Sequence, residues 1–99
     1  MCSSDLHGEG NHLGNLGSVY SNLGDVRRAI GYNEQALTIS REIGDRRSEG
    51  ADLSILGLAY SDLGDVQRAI GYYEQALTLF REIGNKRGEG ADLGNLGLA

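Results

Sequence analysis

The chain has 99 residues, enough for one small domain. Its net charge of −5 argues against nucleic acid as a partner, because phosphate binding relies on clustered Lys and Arg, and its single cysteine, Cys2, excludes an intramolecular disulfide and suits a reducing, cytoplasmic setting. No apolar run reaches the roughly 18 residues needed to span a bilayer and no signal-peptide pattern opens the chain, so no membrane role is expected.

The composition also includes 16 glycines and no proline. An interior glycine costs a helix on the order of 1 kcal/mol relative to alanine, so this many must be placed with purpose. Gly24-Asp25, Gly44-Asp45, Gly64-Asp65 and Gly84-Asn85 recur every 20 residues. Glycine just past a helix end adopts the left-handed conformation cheaply, and a neighbouring Asp or Asn caps the helix that follows. Each pair therefore reads as a stop followed by a start.

In chain order, residues 1–5 form an N-terminal tail, and helices are predicted over 6–23, 26–43, 46–63, 66–83 and 86–99. The fourth shows the pattern best. Val66, Ala69, Ile70, Tyr73, Ala76, Leu77, Phe80 and Ile83 follow the three-and-four spacing of one helical face. Val26, Ala29, Ile30, Ala36, Leu37 and Ile43 do the same in the second. The fold class is all-α.

Residues 11–50 and 51–90 align without a gap, with 26 of 40 positions identical, and 91–99 begin a third copy. The organisation is repeat one at 6–44, repeat two at 45–84, and the first helix of an incomplete repeat three at 85–99. Identical amphipathic helix pairs in series bury their stripes against each other as a solenoid.

Leu13-x-x-Leu16-Gly17-x-x-Tyr20 followed by Ala29 and Ala36 resembles a tetratricopeptide repeat. Leu53-x-x-Leu56-Gly57-x-x-Tyr60 with Ala69, Tyr73 and Ala76 matches it more fully, and Leu93, Leu96 and Gly97 open a third. The resemblance implies an antiparallel helix-pair solenoid of about two and a half repeats, five helices in all. The usual repeat has about 34 residues and often a proline near its end. Here Arg41 and Arg81 stand in that place, which is similar to the 40-residue subclass of spindle-orientation adaptors and bacterial multi-repeat signalling proteins.

Packing roles are expected for several positions. Gly17 and Gly57 let paired helices approach, with Ala29 and Ala69 as the opposing small surface, and alanine at 57 is a gain only if space allows. Tyr20 and Tyr60 fill the space towards the next repeat. Asn33, in place of the aromatic supplied by Tyr73, loosens the first repeat.

Little points to chemistry. His7 and His12, five apart, diverge by about 140° on a helix and make no metal pair. His12 gives way to Asp52 and Asp92, which suits a solvent-facing position. The Gly14–Gly17 and Gly94–Gly97 stretches lack the strand and the Lys-Ser/Thr ending of a phosphate loop. No catalytic residue, cofactor or metal is expected, and the chain is read as no enzyme.

The resemblance implies instead a concave groove, lined by the first helix of each repeat, that binds a peptide or protein segment. Its residues are Asn11, Asn15, Ser18 and Asn22 in repeat one, then Arg47, Ser54, Ile55, Leu58 and Asp62 in repeat two. Arg87, Asn95 and Leu98 continue it. Asn15 and Asn95 offer donor and acceptor to a peptide main chain, and Ile55, Leu58 and Leu98 offer apolar contact. With Lys86 as the sole lysine, at a helix start, an acidic chaperone tail is not expected. The chain is taken as a fragment of a longer scaffold. The alternative is a structural, self-associating unit whose uncapped ends, with Leu93, Leu96 and Leu98 bared, make a homo-oligomer, a dimer in preference to a filament.

Overall fold

The computed structural model describes the backbone of residues 3–98, and within it the side chains of residues 8–97 apart from residue 11. Five α-helices follow one another: α1 (Ser3–Asn22), α2 (Val26–Ile43), α3 (Arg46–Asp62), α4 (Val66–Glu82) and α5 (Lys86–Leu98). The all-α solenoid of helix pairs is the architecture observed. The sequence-based boundaries hold within a residue, except that α1 begins three residues earlier than expected, where neither glycine nor proline interrupts the chain before Leu6.

The turns work as the punctuation implies. Gly24, Gly44, Gly64 and Gly84 have φ of 83°, 71°, 84° and 73°, the left-handed region in which a Cβ is penalised. Asp25, Asp45 and Asp65 then accept hydrogen bonds from the backbone N–H of Arg28, Ser48 and Arg68, at 3.2, 3.1 and 3.2 Å. The Asn85 Oδ1 accepts from Gly88 N–H at 3.0 Å. Each satisfies one of the orphan donors at a helix start.

Each helix packs on the next, and α5 also touches α3, so the first helices of repeats two and three lie side by side. The assembly is a slab of 40 × 33 × 18 Å. Its core runs from Ile30 and Leu37 of α2 through Leu53, Leu56 and Tyr60 of α3 to Ala69, Tyr73, Ala76, Leu79 and Phe80 of α4. The ends of the α4 stripe are less covered than its middle. Val66 and Ile83, beside the turns, are exposed. In α5, Leu93 is exposed, Leu96 packs partly against the core, and the Leu98 side chain lies outside the described residues.

The small residues act differently from expectation. A Cβ on Gly57 would stand 2.7 Å from Cε1 of Tyr73, and one on Gly17 would stand 2.7 Å from Oδ1 of Asn33. The surfaces opposite these glycines are thus Tyr73 and Asn33, whereas Ala29 and Ala69 are buried elsewhere in the helix interface. Asn33 is fully buried, and its Oδ1 has no hydrogen-bond partner. Tyr60 also points the other way from the sequence expectation. Its hydroxyl donates to Glu34 Oε1 at 3.2 Å, in the preceding repeat. Its ring stacks on Tyr72 with centroids 5.4 Å apart, beneath the Arg68 guanidinium, and Tyr20, Tyr32 and Arg28 repeat that arrangement.

The arginines at the end of each second helix have a structural partner. Arg41 Nε donates to Glu49 at 3.3 Å and Arg81 Nε to Glu89 at 2.9 Å, each bond crossing the turn to the following repeat. The Arg81 bond holds the Glu89 carboxyl below its ordinary value. Arg46 pairs with Glu82 from α3 to α4.

Candidate functional site

A cleft lies between α1 and α3, the first helices of repeats one and two. Its volume is about 250 Å³, with Gly10, Gly14, Asn15 and Ser18 along α1 and Ser48, Ala51, Asp52 and Ile55 along α3. Ile39, Ser40 and Ile43 of α2 form its floor. Glycines at 10 and 14 keep the α1 wall low. Of the expected groove residues, Asn15, Ser18 and Ile55 meet in this cleft, and Asn15 and Ser18 are exposed to solvent.

A second cleft between α3 and α5 brings Arg47 and Arg87 together over Ala51, Phe80, Asn85, Gly88 and Ala91. It is the same junction one repeat later. Asn22, Leu58 and Asp62 are exposed on the same helices but line neither cleft, and Asn95 is half-buried. Ser54 is already engaged, donating to Asp92 Oδ1 at 2.6 Å. The side chains of Asn11 and Leu98 lie outside the described residues. Ile55 and Leu58 are 37% and 52% exposed, so they are not consumed by packing between helices.

The two junctions differ at their floors. At the second, Phe80 sits between two glycines. A Cβ on Gly50 would lie 2.6 Å from Cε1 of Phe80, and one on Gly88 would lie 2.7 Å from its Cγ. At the first, Ser40 replaces the phenylalanine and Ser48 replaces Gly88, while Gly10 stands where Gly50 does. Ser40 thus puts a small hydroxyl where Phe80 puts a ring, and a cleft is present at both junctions.

A buried carboxylate lies against that hydroxyl. Asp52 is 8% exposed, and Ser40 Oγ donates to its Oδ2 at 2.9 Å. Burial pushes its carboxyl up to about 6, with Asp45 and Glu49 adding repulsion and the Ser40 bond opposing them. Asp92, wholly buried, is also raised by burial and opposed by its Ser54 bond. The expectation that positions 52 and 92 face solvent is therefore wrong. His12 is exposed, but the two aspartates are covered by the neighbouring helices, which supply serine hydroxyls as donors. Sequence reasoning missed Asp52 and Ser40 as a pair. The available signal was the joint change of Ser40 and Ser48 to Phe80 and Gly88.

Among the described residues, no helix is long and apolar enough to cross a membrane, and no group of three or more His, Cys, Asp or Glu is placed to hold a metal ion. Cys2 and His7 lie outside the residues whose side chains are described. The family model described as tetratricopeptide repeat matches residues 8–82. No curated protein matches the chain.

Proposed function

Because the chain belongs to the tetratricopeptide repeat family, whose repeats are protein-interaction modules and typically not enzymes, we propose that it binds an extended peptide or partner segment along the first helices α1 and α3. The observation that carries this reading is the side-by-side exposure of two kinds of contact. Asn15 and Ser18 offer hydrogen bonds on one wall of the cleft, and Ile55, with Leu58 beyond it, offers uncovered apolar surface on the other. A main chain laid between them finds donors and acceptors for its amides, while its side chains reach apolar area. The low glycine wall of α1 gives the backbone room to approach.

The test starts from a peptide selected for binding to the immobilised chain from a random display library. Asn15→Ala combined with Leu58→Asp weakens that peptide by about 2 kcal/mol or more, which is over tenfold in Kd, and leaves the helical circular dichroism unchanged. Arg27→Ala, on an exposed face of α2, changes nothing. Equal affinity for the wild type and the double variant rejects the reading.

A further inference from the structure

We infer that the cleft at the first junction is a specificity subsite for a lysine side chain of the bound segment, which inserts its ammonium group against Asp52. The inference rests on the groove reading and names the chemistry of the partner at one point of it. Both junctions carry a cleft, but Phe80 lies at the second between Gly50 and Gly88, beside Arg47 and Arg87, while Ser40 and Asp52 line the first. A phenylalanine fits there by the chain's own example, yet the position is polar.

What lines the first cleft is suited to a cation. Asp52 lines the cleft, and its one hydrogen bond spends Oδ2 on Ser40. Oδ1 has no donor among the described residues, so one oxygen of a carboxylate on the lining is left without a hydrogen bond. Asp45 stands on the same lining, and no Lys or Arg is among the residues that form it. Asp45 and Glu49 already disfavour the charge on Asp52, and a cation in the cleft relieves that repulsion as well as pairing with the carboxylate.

The geometry favours ammonium over guanidinium. With one carboxylate oxygen already hydrogen-bonded, the bidentate fork that suits arginine is impaired. The other acceptors on the lining come from two helices: the hydroxyl of Ser18 and the amide of Asn15 from α1, and the hydroxyl of Ser48, which itself donates to Asp45, from α3. An ammonium group has three donors free to turn towards scattered acceptors. The four-carbon stem of lysine passes Ile55 and Ile39 on the way in, covering apolar surface.

The probe is a blocked pentapeptide, acetyl-Ala-Ala-Lys-Ala-Ala-amide, with counterparts carrying glutamine or arginine in place of lysine. Each is titrated at pH 7.5 and followed through backbone amide signals. The lysine peptide is expected to shift the amides of Asn15, Ser18, Ser40, Ser48 and Ile55, and to bind about tenfold tighter than the glutamine peptide. Asp52→Asn removes that preference. So does Ser40→Phe combined with Ser48→Gly, which places the phenylalanine of the second junction beside Asp52 at the first, removes its hydroxyl donor, and keeps the test meaningful if Asp52→Asn disturbs the fold. Equal binding of lysine and glutamine peptides, tighter binding of the arginine peptide, or a lysine preference that survives in the junction variant overturns the inference. If a library-selected peptide still depends on Asn15 and Leu58 in that event, the groove reading stands while the lysine subsite falls.

Discussion

Gly57 lies so close to Tyr73 that a single added carbon would come within 2.7 Å of Cε1, 2.8 Å of Cδ1 and 3.0 Å of Cζ. The ring is fully buried between the paired helices and has no free end to swing aside. The helix-propensity gain of alanine, about 1 kcal/mol, is therefore outweighed by overpacking. Gly57→Ala is expected to destabilise by about 1–3 kcal/mol, and Gly57→Leu by more. Thermal unfolding checks it. An unchanged or raised melting temperature for the alanine variant would show that the ring relaxes without cost.

Asn33 occupies the place of Tyr73 in the first repeat, opposite Gly17, with its buried carbonyl oxygen unpaired. A buried polar atom without a partner costs about 1–3 kcal/mol. Asn33→Tyr copies the glycine–tyrosine pairing of the second repeat and removes that cost. It is expected to raise stability by about 1–2 kcal/mol in urea denaturation, with an unchanged m-value. Destabilisation would mean that the first helix pair is closer than the second and has no room for the ring.

Asp52 links stability to pH. Its carboxyl is raised from 3.8 to about 6 in the folded chain, so between those values the folded state holds a proton more tightly than the unfolded one. Its contribution is full below about pH 4 and is lost as the pH rises through about 6. The size is of the order of 1–3 kcal/mol. Glu89, depressed by Arg81, runs in the opposite direction, so the difference between wild type and Asp52→Asn is the quantity to read. Urea melts at pH 4.5 and 7.5 are expected to show Asp52→Asn gaining relative to wild type at the higher pH. The same difference at both values would mean that the carboxyl titrates normally.

The fold was legible because its signals are local. Gly44 and Asp45 determine one turn through a backbone angle and a cap, both contained within five residues, and the 20-residue recurrence carries that turn along the chain. The apolar face of α4 was legible from spacing alone, apart from its ends at Val66 and Ile83. Asp52 was not. A carboxylate is rarely buried, and what permits it here is a hydroxyl on another helix, 12 residues earlier, which no periodicity reveals. Read from His12, which is exposed, the position looked solvent-facing. Tyr60 was misjudged for the same reason, since Glu34 lies in the preceding repeat. Of the cleft between α1 and α3, the helices that wall it could be read from the turn punctuation, but Asp52 on its lining could not, because its hydroxyl donor Ser40 comes from another helix.

The central claim is that α1 and α3 present the binding surface, and the most direct measurement is an amide-shift footprint of a library-selected peptide on the isotopically labelled chain. The account expects the largest changes at Asn15, Ser18, Ile55 and Leu58, with Arg27, Glu74 and Gln75 on the second helices unmoved. A footprint centred on α2 and α4, with the amides of Asn15 and Ile55 undisturbed at saturation, would contradict it.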